Sequence, residues 1–273
     1  MVAEKFRQSD LGLIVTLILK TKLAGPWYET NALCLLPSGD IRSERAVFSH
    51  GYTANKSDCL PWATRCAELG IPSLIFDWPG HYLGSFNEVE NFSDFTDGAH
   101  KLFGEAYTRL QDMLEQQKGF KSPKKIILAG HSLGALMAIK ALNLSEFKTL
   151  ERLAIGVGIG LNNKVETHLF DTEFYQKTLV IRRQLVSPAL DSDLMFPWIR
   201  AEKTRIQVTG ERIHLITGED DMVVGVGGLE NFCDHLLKLN NHVTLFKPKK
   251  LAHHEPTLAA PHLNAFLKTE LGF

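Results

Sequence analysis

A serine lies between two glycines where an apolar run ends, in residues 126–134, Ile-Ile-Leu-Ala-Gly-His-Ser-Leu-Gly. The pattern Gly-x-Ser-x-Gly is typical of a tight turn from a strand into a helix, which holds the serine hydroxyl away from the surrounding backbone. Because a serine hydroxyl is a poor nucleophile until a base takes its proton, such a turn would present Ser132 to a histidine. The spacing predicts that Ser132 is a nucleophile and that the backbone N–H of Leu133 stabilises an oxyanion.

The residues on either side of this motif favour a catalytic serine over a structural serine in a glycine-rich turn. The run at 125–129 is rich in strand-forming residues, and residues 135–142 are strong helix formers. The flanks therefore supply the strand, turn and helix that the motif requires.

A second glycine turn follows the predicted strand at 45–49, in the stretch His-Gly-Tyr-Thr at residues 50–53. Open α/β sheets bind ligands at the carboxyl ends of their strands, and Gly51 would let the backbone approach the serine there. We expect the backbone N–H of Tyr52 to be the second oxyanion donor. His50 comes too early in the chain to be the base in this order of elements, so we expect a structural role for it.

An acidic turn follows the predicted strand at 212–217, in the stretch Gly-Glu-Asp-Asp-Met-Val-Val. A carboxylate at this position could orient a histidine and stabilise its cation. Glu219, Asp220 and Asp221 all compete for that role, and an acidic turn before a helix can also be simple capping, which fits Glu219 or Asp220.

Paired histidines follow the predicted strand at 242–246, within Ala-His-His-Glu-Pro at residues 252–256. Imidazole titrates close enough to neutrality to take the Ser132 proton and return it to a leaving group. We choose His254 as the general base and keep His253 as the alternative. Neighbouring loop residues rarely bind one ion together, and no matching ligand spacing surrounds them, so we expect no metal and no cofactor.

The composition bounds the class of protein. The 273 residues are 44% hydrophobic and 22% charged, with a net charge of -1, which predicts one large globular domain without attraction to nucleic acid or an anionic membrane. The four cysteines show no C-x-x-C spacing, and the N-terminus lacks a signal-peptide layout, which favours a cytoplasmic protein. The apolar run at 11–19 is too short to span a membrane and predicts a first strand.

Apolar strand-like runs alternate with helical patterns along the chain, which predicts a mostly parallel central sheet flanked by helices. About fifty residues interrupt this alternation, so we expect a core at 1–160 and 211–273 and a cap or lid insertion at 161–210. The predicted strands lie at 45–49, 73–77, 125–129, 153–158, 212–217 and 242–246, and the predicted helices at about 93–117, 229–237 and 263–271.

Serine, acid and histidine in this chain order resemble the α/β-hydrolase superfamily. The likeness rests on His-Gly at 50–51, Asp-Trp-Pro-Gly-His at 77–81, the serine turn at 130–134, Gly-x-x-Asp-x-x-Val at 218–224 and Ala-His-His-Glu at 252–255. It places Asp221 in the acid position, and the stretch after His50 is similar to turns in small bacterial esterases. One departure, Tyr82-Leu83 before Gly84 and Ser85, is expected to alter substrate access.

The resemblance implies a cofactor-free serine hydrolase acting on small-molecule carboxylic esters or thioesters through an acyl-enzyme on Ser132. An acyltransferase or a carbon–carbon hydrolase would use the same triad, and a receptor on the same fold would keep it with negligible turnover. Apolar and aromatic residues in the insertion, such as Phe196 and Trp198, predict an apolar or aromatic acyl group.

Overall fold

The computed structural model describes residues 16–115, 117, 119–161 and 172–273. Eight strands form one sheet in the order β1-β2-β4-β3-β5-β6-β7-β8. Strand β2 is antiparallel to both of its neighbours, and the pairs from β4 through β8 are parallel. The strands are β1 (Leu17–Gly25), β2 (Tyr28–Leu36), β3 (Glu44–Ser49), β4 (Ser73–Phe76), β5 (Lys125–His131), β6 (Glu151–Val157), β7 (Arg212–Ile216) and β8 (His242–Phe246).

Helices cover both faces of this sheet, because successive strand residues point to opposite sides. Alternate residues of β3 and β5, such as Phe48 and Ile127, pack on one face with α1 and α8, while Val47 and Leu128 pack on the other with α3, α4 and α7. The helices in the described residues are α1 (Leu60–Glu68), α2 (Phe92–Gly98), α3 (Leu102–Glu115), α4 (Leu133–Ala141), α5 (Glu173–Arg183), α6 (Ser192–Thr204), α7 (Gly228–Lys238) and α8 (Ala260–Leu271).

The six strands predicted from β3 to β8 are confirmed to within two residues at each end. The long helix predicted at 93–117 is divided into α2, a 3-10 turn and α3. Gln116, near its predicted end, and Lys118, just beyond it, lie outside the described residues. Gly98 ends α2 against the indole of Trp27, where a Cβ would lie 2.7 Å from Trp27 Cζ2. The break therefore brings the backbone close to an aromatic ring from the β1–β2 hairpin.

The first hairpin differs from the sequence expectation. Strand β1 occupies Leu17–Gly25 rather than 11–19, of which residues 11–15 lie outside the described part, and β2 was not predicted. Lys20 and Lys22 dilute the apolar pattern of β1, because this strand lies at the sheet edge with one face in solvent. Burial alternates in the first half of β2, where one face is exposed, and both faces are covered toward its end at Cys34–Leu36.

The chain between β6 and β7 contributes α5, a 3-10 turn at Pro188–Leu190, and α6. Helix α6 packs against α4, which directly follows the serine turn. Phe170, a further aromatic residue of the insertion predicted at 161–210, lies outside the described residues. Across the described ranges, no helix combines the length and apolar character needed to cross a membrane.

Candidate active site

Ser132 occupies a sharp turn between β5 and α4. Its φ of 51° and ψ of -106° lie in a region that non-glycine residues rarely adopt, so the turn holds backbone strain. The Ser132 N–H donates to the carbonyl of Val157 at 2.9 Å, which ties the turn to the end of β6. The side chain lines a cavity at the carboxyl edge of the sheet.

The two glycines of the motif are required by close backbone contacts. A Cβ on Gly130 would lie 2.2 Å from the carbonyl carbon of Gly134, and a Cβ on Gly134 would lie 2.5 Å from the carbonyl oxygen of Ser49. Real Cβ atoms do not approach backbone this closely, so any side chain would open the turn. The strand, turn and helix predicted around Ser132 are therefore present, with the glycines in the predicted role.

The backbone N–H groups of Tyr52 and Leu133 lie on the two segments that border the serine. Among the described residues, neither amide donates a hydrogen bond to the protein. Gly51 lets the two segments approach, since its Cβ would lie 2.6 Å from His131 Nδ1. The Tyr52 hydroxyl is engaged elsewhere, donating to the carbonyl of Leu190 at 2.7 Å. The predicted oxyanion donors are thus free main-chain groups beside Ser132.

The Asp221 carboxylate contacts the first of the paired histidines. His253 Nδ1 donates to Asp221 Oδ2 at 2.8 Å, and both side chains are nearly buried. The other oxygen, Oδ1, accepts the N–H groups of Val223 and Val224 at 3.0 and 2.9 Å. These two backbone bonds hold the carboxylate in place, so Asp221 is oriented toward His253.

Asp220, an alternative from sequence, serves the loop instead. Its Oδ1 accepts the backbone N–H of Leu251 at 3.1 Å, which joins the acidic turn to the loop that carries the histidines. Glu219 has its N–H bonded to the carbonyl of Pro248 at 2.9 Å, and its side chain is exposed. Among the three acids, Asp221 is the one hydrogen-bonded to a histidine.

His254, our choice of base from the sequence, is not hydrogen-bonded to Asp221, whereas His253, the alternative, is. His254 is exposed at the cavity wall, with its ring 5.7 Å from that of His253 and nearly perpendicular to it. Partial desolvation is the main cause that lowers the pKa of His254, and the nearby His253 and Arg182 lower it further through electrostatic repulsion. Adjacent side chains leave the backbone in different directions, so only one of the pair can face Asp221.

His131, the residue before the nucleophile, is a site residue that the sequence reasoning missed. Its ring packs against the ring of His253 with centroids 4.7 Å apart. The side chain is buried and neither ring nitrogen has a partner among the described residues, and burial holds its pKa well below the usual value. Its place in the serine motif was the available signal. His131 packs beside His253 as an uncharged ring.

His50 holds the Tyr52 loop, as expected for a structural residue. Its Nδ1 donates to the carbonyl of Gly51 at 2.8 Å and its Nε2 accepts the N–H of Trp78 at 2.9 Å. The Trp78 indole N–H returns a bond to the carbonyl of His50 at 2.8 Å. Complete burial lowers the pKa of His50 to about 3, so it stays neutral and keeps this bonding pattern.

The cavity above Ser132 has a volume of about 430 Å³. The sheet side supplies Ser132, His131, His253, His254 and Tyr52, and the β6–β7 segment supplies Tyr175, Thr178, Ile181, Arg182, Leu185 and Phe196. Leu83, from the Tyr82-Leu83 departure noted in the sequence, also lines it, and Tyr82 N–H bonds to the carbonyl of Leu185 at 2.9 Å. Within the described ranges, no cluster of histidine, cysteine and acidic side chains could hold a metal ion.

The fold and this cavity agree with the comparison to known families. Residues 46–224, more than half of the chain, match the family described as the alpha/beta hydrolase family, and the chain belongs to it. The match includes the Tyr52 loop, the Ser132 turn and Asp221. No curated protein matches the chain in sequence.

Solved structures of proteins with different named activities share this fold. An esterase from Pyrobaculum calidifontis has a TM-score of 0.63 at 15% identity, covering 93% of this chain and 85% of that one. A bromoperoxidase from Bacillus anthracis scores 0.57 at 13% identity, covering 93% and 98%. Epoxide hydrolase VrEH1 from Vigna radiata scores 0.58 at 13% identity, covering 93% and 98%. These similarities establish the α/β-hydrolase fold alone.

Proposed function

We propose that this chain is a serine hydrolase of small-molecule carboxylic esters or thioesters. Ser132 is the nucleophile, His253 the general base and Asp221 the residue that orients the base. The backbone N–H groups of Tyr52 and Leu133 form the oxyanion hole. The observation that carries the proposal is the hydrogen bond from His253 to Asp221 at 2.8 Å, with Ser132 and His253 on one cavity wall.

The proposed reaction has two halves. His253 Nε2 accepts the Ser132 hydroxyl proton as Oγ attacks the substrate carbonyl, and the carbonyl oxygen becomes an oxyanion held by the two amides. The tetrahedral intermediate collapses, His253 returns the proton to the leaving alcohol or thiol, and an acyl-enzyme remains on Ser132. Water, activated by His253, then attacks this ester and releases the acid and free enzyme.

Asp221 serves both halves by holding the tautomer of the base. Because its carboxylate accepts the Nδ1 proton of His253, Nε2 keeps the lone pair that would take the Ser132 proton. The carboxylate also stabilises the imidazolium that forms when the proton is taken.

The chain between β6 and β7 is proposed to be the cap of this site, within an insertion at 161–210 on a core at 1–160 and 211–273. In the described part, α5 contributes Tyr175 and Arg182 to the cavity and α6 contributes Phe196. The Tyr52 hydroxyl bond to Leu190 and a bond from Arg182 to Thr53 join this segment to the oxyanion loop. The aromatic lining supports an apolar part in the substrate.

The test combines covalent labelling with turnover. We expect a fluorophosphonate to label the wild-type protein at Ser132 and the protein to hydrolyse 4-nitrophenyl esters over many turnovers. Ser132→Ala should lose the label and retain only residual hydrolysis. Ser145→Ala, which changes an exposed serine that does not line the cavity, is the control and should behave as wild type.

Each other outcome has a definite meaning. Absence of labelling in well-folded wild-type protein would reject the proposed nucleophile. Labelling with less than one product per protein on every ester would favour a receptor on the same fold. Preferential transfer of the acyl group to an added alcohol over water would favour an acyltransferase.

A further inference from the structure

Arg182 is the one arginine or lysine that lines the described cavity. It lies in the last turn of α5 and is half-buried. Its Nη1 donates to Thr53 Oγ1 at 3.1 Å, and its guanidinium carbon lies 5.3 Å from the centre of the Tyr175 ring. The guanidinium therefore sits against the residue that follows the proposed oxyanion donor Tyr52.

The guanidinium has no carboxylate counterion in the described part of the chain. No carboxylate of these residues comes within ion-pair distance of Arg182, whereas the next residue, Arg183, is paired with Asp191 at 3.2 Å and Asp193 at 2.6 Å. A guanidinium presents five N–H donors, and the bond to Thr53 uses one of them. Donors remain for an acceptor that enters the cavity.

The cavity wall supplies no ion-pair partner for Arg182 among the described residues. Asp58 is the single carboxylate that lines the cavity there, and it lies beyond ion-pair distance of Arg182. The other cavity neighbours of Arg182 on its own helix, Thr178 and Ile181, are uncharged. A partly desolvated cation in such a wall is stabilised by an anion that brings its own charge.

Arg182 is also close to the proposed reaction centre. Its charge contributes to lowering the pKa of His254, so its field reaches that histidine at the cavity wall. Through Thr53 it touches the loop that bears the Tyr52 N–H. An anionic group on Arg182 would lie in the same cavity of about 430 Å³ as the ester carbonyl on Ser132.

We propose that Arg182 binds an anionic oxygen group, a carboxylate or a phosphate, carried by the ester or thioester that this site hydrolyses. The proposal rests on the proposed hydrolase function. Planar guanidinium matches the paired oxygens of carboxylate and phosphate, and the bond to Thr53 together with the Tyr175 ring preorganises it. Arg182 is thus a specificity residue, and the apolar wall accepts the chain that links the anion to the ester.

The main experiment compares charged and neutral esters of similar length. We expect the wild type to prefer mono-4-nitrophenyl adipate over 4-nitrophenyl heptanoate by roughly ten- to a hundredfold in kcat/KM. Arg182→Gln should remove this preference mainly through KM, and Arg182→Lys should keep part of it. Arg183→Gln, which breaks ion pairs away from the cavity, should leave the preference unchanged. Two further probes carry the anion on the leaving phenol: 4-butyryloxybenzoate has a carboxylate and 4-butyryloxyphenyl phosphate has a phosphate. Comparing kcat/KM for each with that for phenyl butyrate shows which of the two anions Arg182 prefers.

A residue that merely joins the cap to the core would change these rates without regard to substrate charge. Equal selectivity in wild type and Arg182→Gln for all three charged probes would overturn the inference, and so would a wild-type preference for every neutral ester. Fluorophosphonate labelling of Ser132 in Arg182→Gln keeps the two proposals apart. Normal labelling without charge preference removes the role of Arg182 and leaves the hydrolase proposal standing.

Binding without chemistry tests the contact even if no ester is turned over. Calorimetric titration of Ser132→Ala with monomethyl adipate, monomethyl terephthalate and phenyl phosphate should give a Kd roughly tenfold or more weaker when Arg182→Gln is added. Dimethyl adipate, the uncharged control, should bind both proteins alike. An unchanged Kd for all three anions, or no binding of any of them, would reject the anion site.

Discussion

His253 Nδ1 donates a hydrogen bond to Asp221 Oδ2 at 2.8 Å, and the neighbouring His254 does not share that carboxylate. Two backbone N–H groups, from Val223 and Val224, hold the other oxygen of Asp221. The carboxylate cannot turn toward His254 without breaking these bonds. This relationship distinguishes the two histidines chemically, although they are adjacent in the chain.

The first prediction is a large difference between the two histidine variants. His253→Gln should lower kcat by about 10³-fold or more, because Ser132 would lose its proposed base. His254→Gln should keep kcat within about tenfold of wild type, with any effect appearing in KM. Steady-state kinetics on one 4-nitrophenyl ester checks both. A larger loss of kcat in His254→Gln than in His253→Gln would restore the original sequence choice.

The second prediction concerns the orientation of the base. In Asp221→Asn, the amide oxygen can still accept from Val223 and Val224, while the amide N–H₂ faces His253 and favours the wrong tautomer. We expect kcat to fall by roughly 10³- to 10⁴-fold with the urea midpoint nearly unchanged. Asp221→Ala should lose activity and stability together, because two backbone donors lose their acceptor. Near wild-type kcat in Asp221→Asn would show that Asp221 does not orient the base.

The third prediction separates the backbone and side chain of Tyr52. The side-chain hydroxyl bonds to Leu190 at 2.7 Å, and the proposed oxyanion donor is the backbone N–H. Tyr52→Phe should therefore lower the free energy of unfolding by about 1 kcal/mol, while the rate of Ser132 labelling stays within a few-fold of wild type. Urea unfolding and labelling kinetics measure the two effects. A loss of labelling as severe as in His253→Gln would contradict a purely main-chain role.

The fourth prediction is a loss of stability in acid. Burial lowers the pKa of His81 to about 3, with the nearby His50 adding to the shift, against an ordinary value of 6.5. Below pH 6.5 His81 takes up a proton in the unfolded chain but not in the folded protein. The free energy of unfolding therefore decreases as the pH is lowered from 6.5 toward 3. The contribution is about 2 kcal/mol by pH 5.

His81→Phe should remove this contribution. The ring stacks with Phe95 at 6.0 Å between centroids, so an aromatic replacement keeps that contact. Urea unfolding at pH 7, 6 and 5 should give a shallower decline for the variant than for wild type. Equal declines in the two proteins would show that the pKa of His81 does not differ between the folded and unfolded states. His242→Phe, at an exposed position, is the control and should leave the slope unchanged.

Local patterns along the chain were enough to predict the elements around Ser132. A β-rich run, two glycines and a helix-forming run are neighbours in sequence, and strand β5, the turn at Ser132 and helix α4 follow that order. The parallel strands β3 to β7 were found for the same reason, since buried strands are continuous apolar runs. Strand β8 is mostly exposed, but its short run of Val, Thr, Leu and Phe favours a strand. Strand β2 and the true position of β1 were missed because an edge hairpin mixes polar residues into its pattern.

The choice between His253 and His254 could not be made from such patterns, because it depends on a carboxylate about thirty residues earlier and on the direction each side chain takes. Similarly, His131 and Arg182 were not singled out from the sequence, because each contacts a residue far away in the chain. His131 packs against His253, and Arg182 donates a hydrogen bond to Thr53. Residue types and spacing thus predicted the α/β-hydrolase family and the chemistry proposed for this protein. Packing across distant segments established which side chains meet, since contact distance and orientation are properties of the folded backbone.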